Sequence, residues 1–99
     1  MEINKTLEND KMILALDGRL DTTSAPQLQD VLLPAFEEAS AVKLDFSGLE
    51  YISSAGLRVL LAGQKTAQTK NASMTVSGVS EEIMEVFTMT GFTEILTIE

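Results

Sequence analysis

Apolar and polar positions change period several times along the chain, and each change marks an element. Ile3 to Leu7 alternates weakly, as a strand would, and Asn9-Asp10 supplies a turn. Met12-Ile13-Leu14-Ala15-Leu16 follows as a nearly continuous apolar run. It predicts the second strand of a hairpin, buried on both faces and ended at Gly18. Leu20 to Ser24 then leads into a helix, with Ser24 or Thr23 as its N-cap. Pro26 falls in the first turn, where a missing N–H is no loss. Leu28, Val31, Leu32, Ala35, Phe36 and Ala39 recur at the spacing of one helical face. Pro34 interrupts the ladder by removing one donor, and the unbroken periodicity predicts a kink rather than a break.

Val42 to Phe46 is the next strand. From Leu44 to Leu61 the chain reads as the end of that buried strand, a short loop and a helix start. The second helix runs from Ser54 to Lys70, with Leu57, Leu60, Leu61 and Ala67 apolar. Gly56, Leu60, Gly63 and Ala67 share one of its faces. Two helical glycines cost about 1 kcal/mol each relative to alanine, so close approach to the sheet should compensate. Met74 to Ser77 is a short strand bounded by Gly78. Ser80 then caps a third helix, with Glu81 and Glu82 in its first turn and Ile83, Met84, Val86 and Phe87 inside. Thr90-Gly91-Phe92 stops it, and Ile95 to Ile98 closes the chain as a strand. The order β-β-α-β-α-β-α-β predicts an α/β fold over residues 1–99 as one domain: a mixed, largely parallel sheet with helices packed on it.

Composition narrows the chemistry. The 99 residues are 44% hydrophobic and 22% charged, enough for a packed core and too apolar for a disordered chain. No cysteine and no histidine are present, which excludes disulfides, thiolate catalysis and a Ser-His-Asp triad built from this chain alone. A formal net charge of −8, with seven scattered basic residues, argues against a nucleic-acid surface and suits steering toward a basic partner. Met1 to Asp10 is polar and alternating, unlike a secretory signal, and no apolar run approaches a membrane span. A cytoplasmic protein without membrane insertion is expected. The five methionines lie on separate elements and read as core filler. Gly78-Val79-Ser80 lacks the spacing of a phosphate loop.

Ser53 and Ser54 stand where the second helix begins. Unpaired N–H groups and a partial positive charge there suit a hydroxyl oxygen or an anion. From the residues alone, an ordinary cap worth about 1 kcal/mol is the simpler role for Ser54. A capping box is incomplete, because Leu57 holds its fourth position. Asp21-Thr22 reads as a solvated turn before a helix, and Asp45 as a carboxylate bonding loop N–H groups at the sheet rim. Asp21, Asp45 and Glu50 do not form a recognisable catalytic pair. The chain is not expected to be an enzyme.

Three segments together extend this picture: Gly18-Arg19-Leu20-Asp21, Thr23-Ser24-Ala25-Pro26-Gln27-Leu28, and Leu44-Asp45-Phe46-Ser47-Gly48-Leu49-Glu50-Tyr51-Ile52-Ser53-Ser54-Ala55-Gly56-Leu57. In this order they closely resemble the STAS domain, in its freestanding bacterial form, the anti-sigma factor antagonist. The resemblance implies a STAS-like fold and a protein that binds an anti-sigma factor, itself a serine protein kinase. It implies phosphorylation of Ser54, with Ser53 second to it, and loss of binding once the phosphate is on. Asp21, Thr22, Ser53, Ser54, Ala55, Gly56, Leu57 and Arg58 are the partner-binding residues it implies. ATP and magnesium would belong to the kinase, a phosphatase would reset the switch, and the chain itself would need no cofactor or metal. Weak self-association is compatible with this reading. Many members carry an acid before the acceptor serine, where this chain has Ser53. That departure supports the alternative, a STAS binding or scaffolding module of a transporter or larger regulatory complex that works without phosphorylation.

Overall fold

A computed structural model describes all residues from Met1 to Glu99. Strand β1 (Glu2–Glu8) pairs antiparallel with β2 (Lys11–Leu20) through a turn at Asn9 and Asp10, both in the left-handed region. Helix α1 (Ala25–Glu38), β3 (Ala41–Ile52), α2 (Ser54–Thr69), β4 (Ser73–Ser77), α3 (Glu81–Thr90), a 3-10 turn (Phe92–Glu94) and β5 (Thr97–Ile98) follow. The sheet order is β1-β2-β3-β4-β5, with β2 to β5 parallel. Each crossover therefore returns to the adjacent strand, and right-handed connections place successive helices on one face. The predicted element order holds throughout. The closing strand is shorter than Ile95–Ile98, because Phe92 to Glu94 first make a 3-10 turn.

Helices on one face explain why β2 departs from its expected burial on both sides. Met12, Leu14 and Leu16 are buried, while Ile13 and Ala15 between them are half-exposed. Val42, Leu44 and Phe46 of β3 and Met74 and Val76 of β4 continue the same buried face. The helices cover it with Leu28, Leu32 and Phe36 of α1, Leu57 and Leu60 of α2, and Ile83 and Phe87 of α3. Helix α1 continues through Pro34 to Glu38, so the proline does not break it. Ser80 caps α3 by accepting from Ile83 N at 3.2 Å, and Gly91 ends it at φ +81°.

The largest difference from the sequence reading concerns β3. Its strand does not end at Phe46 but runs on to Ile52, so the expected loop is ladder. Between the pairs Ala15↔Asp45 and Asp17↔Gly48, β2 advances two residues and β3 three. Between Gly18↔Leu49 and Arg19↔Tyr51, β2 advances one and β3 two. Two β-bulges thus add residues to β3, around Phe46-Ser47 and at Glu50. Buried positions follow at Phe46, Leu49 and Ile52, a spacing of three that strand alternation does not reveal.

Helix α2 lies as close to its neighbours as its glycines imply. A Cβ on Gly56 would stand 2.7 Å from Leu20 Cγ and 2.9 Å from Ile52 Cγ1. On Gly63 it would stand 2.7 Å from Leu32 Cδ2 and 2.9 Å from Met74 Sδ. Gly56→Ala should therefore destabilise the fold by about 1–3 kcal/mol despite the better helix propensity of alanine. Urea unfolding measures this, and equal or greater stability would contradict so close an approach.

Candidate functional site: the start of α2 and the turn after β2

Strands β2 and β3 end together, with Leu20 opposite Ile52. Ser53 N donates to Leu20 O at 2.9 Å, which ties the start of α2 to the end of β2. Ser53 is extended, and its Oγ accepts from Gly56 N at 3.4 Å, so Ser53 is the N-cap. Ser54 is the first helical residue, exposed, and its hydroxyl makes no hydrogen bond within the chain. Cap and candidate acceptor are thus two different residues, and the ordinary cap role first considered for Ser54 belongs to Ser53. Beyond them Ala55 is half-buried, Gly56 and Leu57 are buried, and Arg58 is exposed without an acidic partner. Of these positions, Ser54 and Arg58 present side chains to solvent, while Gly56 and Leu57 seat the helix.

The turn after β2 is organised by Asp21. Its Oδ1 accepts from Thr23 N and Ser24 N, both at 3.1 Å, and its carbonyl accepts from Ala25 N at 2.8 Å. Asp21 therefore plays the capping part expected of Ser24 or Thr23. Ser24 occupies the N-cap position of α1 without capping it. Its buried hydroxyl instead donates to Arg19 O at 2.6 Å and accepts from Asp21 N at 3.0 Å. The Ser24 N–H bond is the main force holding the Asp21 carboxyl below the usual aspartate range, helped by Thr23 N–H and Arg19. Thr22 is exposed at the tip of the turn.

The three carboxylates considered from sequence separate. Asp21 and Glu50 line one open hollow of about 500 Å³, together with Gly18, Arg19, Thr23 and Ser24. Asp45 lies outside that hollow, bonded to the Ser47 hydroxyl at 2.6 Å and to Ser47 N at 2.9 Å, against Gly78. Those bonds, the hydroxyl first, hold its carboxyl low. No three acidic side chains converge in a way that could hold a metal ion. No helix is long and apolar enough to cross a membrane.

One feature of the rim had no signal in the sequence. The Arg19 guanidinium lies over the Tyr51 ring, 4.2 Å from its centroid, and both side chains are exposed. Strand alternation from Leu49 would turn Tyr51 inward; the extra residue Glu50 turns it outward.

The fold and this rim can be set beside known proteins. The family described as Mlab, STAS domain matches residues 3–97. The chain belongs to the STAS domain family. An anti-sigma-B factor antagonist of Bacillus subtilis (strain 168) is 30% identical over 101 residues, covering 99% of this chain and 92% of its own. The unphosphorylated form of the anti-sigma factor antagonist SpoIIAA superposes with a TM-score of 0.80 at 14% identity, over 99% of this chain and 87% of that one. Its phosphorylated form, from Bacillus, gives 0.77 at 15% identity, over 99% and 91%. In this STAS domain the sheet rim at Leu20 and Ile52 carries the Ser53-Ser54 start of α2.

Two outcomes follow from the division of labour at the rim. Ser53→Ala should cost about 0.5–1 kcal/mol of stability through the lost cap, while Ser54→Ala should stay within about 0.5 kcal/mol of wild type. Chemical denaturation of the two variants separates them, and equal losses would contradict the assignment. The lowered Asp21 and Asp45 carboxyls contribute stability that is present above about pH 4 and is lost as pH falls through their lowered values. Unfolding followed from pH 7 to 2.5 should show that acid limb, flattened in Asp45→Asn.

Proposed function

We propose that this STAS protein is an anti-sigma factor antagonist whose binding is switched off by phosphorylation of Ser54. The observation that carries the reading is the free, exposed Ser54 hydroxyl on the first turn of α2, next to the cap and across from the Asp21 turn. Relatives named as antagonists along the full chain support it. So does the existence of SpoIIAA in phosphorylated and unphosphorylated forms on the same fold.

The physics of the position agrees with such a switch. A phosphate adds about −1.5 to −2 charges at pH 7. On the first turn of a helix that charge meets free N–H groups and the positive end of the dipole, so the fold tolerates it. Arg58, one turn further on, adds a cation four residues away. A partner surface fitted to a neutral hydroxyl would instead meet bulk and charge. A mismatch of about 4 kcal/mol takes a micromolar complex to about millimolar. The switch then acts at the interface without refolding, with Thr22, Ser54 and Arg58 as exposed contacts and Asp21 holding the turn. The partner is an anti-sigma factor that is also a serine kinase and supplies ATP and magnesium; a phosphatase resets the site. The site of action is the cytoplasm.

A second reading rests on Ser53, which is neutral where the STAS resemblance implies an acid: a binding or scaffolding module that is never phosphorylated. One experiment separates the two. The anti-sigma factor that co-purifies with the protein from its native cell is titrated with wild type, Ser54→Ala and Ser54→Asp. The switch predicts that Ser54→Ala binds within about threefold of wild type and that Ser54→Asp loses at least about 100-fold. Kinase-dependent phosphate should map to Ser54 by mass spectrometry. Equal binding of all three, with no phosphate on Ser54, would favour the scaffold.

A further inference from the structure

We infer that the stacked pair Arg19 and Tyr51 is the anchor by which this protein grips its partner, and that it receives an acidic side chain there. The inference rests on the antagonist reading of the Ser54 surface and extends it to the neighbouring face of the rim.

Tyr51 is 41% exposed and the Arg19 side chain 59%, although the two residues face each other across paired strands. Tyrosine is intermediate in its tendency to be buried, and this one lies outside the core with its ring under a guanidinium. Here the fold inserts Glu50 as an extra residue and so aims Tyr51 away from the core, while Ile52 takes the buried place. Bulges that re-aim a side chain cluster beside functional sites. Ile52 leads directly into the Ser53 cap, and Arg19 precedes Leu20, whose carbonyl holds Ser53 N. The pair is therefore continuous with the proposed switch surface.

The guanidinium is held but not satisfied. Its Cζ sits 4.2 Å from the Tyr51 ring centroid, and the approach of Arg19 Nε to Asp21 Oδ2 is 3.9 Å, beyond hydrogen-bond distance. None of its donors bonds within the chain. A planar donor fork kept in place by an aromatic ring matches a carboxylate from outside, which it can bind through two parallel bonds. Tyrosine and arginine are also the side chains most enriched among residues that dominate binding energy. On a chain of net charge −8, the only two arginines are Arg19, one residue before the strand end whose carbonyl holds Ser53 N, and Arg58, in the first turns of α2. The partner that fits is a protein surface with an apolar slot for the ring and an Asp or Glu at its edge.

The test uses the anti-sigma factor that co-purifies with the full-length protein, titrated calorimetrically. Tyr51→Ala should weaken binding at least 10-fold and Tyr51→Phe less than threefold. Arg19→Lys should fail to restore what Arg19→Ala loses, because an ammonium lacks the fork. The double variant Arg19→Ala/Tyr51→Ala should lose less than the product of the two single losses. Melting temperatures within about 3 °C of wild type would separate lost contact from lost fold. Should Tyr51→Ala fold poorly, Tyr51→Thr and Arg19→Ala carry the same comparison. Ser54→Asp is measured beside them. Loss of binding in Ser54→Asp with none in the Tyr51 and Arg19 variants would overturn the anchor and leave the switch standing. Loss in the Tyr51 and Arg19 variants with none in Ser54→Asp would keep the anchor and remove the switch. Full rescue by Arg19→Lys would overturn the carboxylate partner.

Discussion

The hydrogen bond from Ser53 N to Leu20 O, 2.9 Å long, is the closure on which this rim of the domain depends. It joins the last residue of β2 to the cap of α2. Around it Leu20 and Ile52 pack against the bare Cα of Gly56. A side chain at Gly56 would push α2 off the rim and lengthen that bond. Close packing of one glycine thus sets where Ser54 emerges, which turn it faces, and how much of it solvent reaches.

The two serines show how one short segment can be both structural and exposed. Ser53 spends its hydroxyl on Gly56 N and its N–H on Leu20 O. With the cap supplied by its neighbour, the Ser54 hydroxyl is left without an intrachain bond and faces solvent. A modification there would not have to break the cap first. Asp21 makes a similar arrangement on the opposite turn: its carboxylate is committed to two backbone N–H groups, which leaves Thr22 as the exposed tip.

The bulges in β3 bring the other half of the rim into place. The first carries the Asp45–Ser47 bonds against Gly78, near the start of α3. The second turns Tyr51 outward under Arg19 and places Glu50 beside the Asp21 hollow. Both belong to the central strand β3 but lie beyond Asp45, where its pairing with β4 has ended, so pairing with β2 is what holds their position. Surface residues held by a central strand are more rigid than residues on a free loop, which suits recognition.

The local pattern of this sequence already determined its element order, the inward faces of α1 and α3, the Ser80 cap, the Gly91 stop and the need for close packing at Gly56 and Gly63. Those features depend on residues a few positions apart, whose spacing reports periodicity and backbone preference directly. It also marked the segment around Ser53 and Ser54 as the place to look. Tertiary structure decided the rest. Whether β3 stops at Phe46 or continues through two bulges depends on its pairing with β2, thirty residues away in sequence. From that pairing follow the outward turn of Tyr51 and the register that brings Leu20 O to Ser53 N. The choice of Ser53 over Ser54 as cap follows in turn. Local propensity treats the two serines alike; a single backbone bond across the sheet rim distinguishes them.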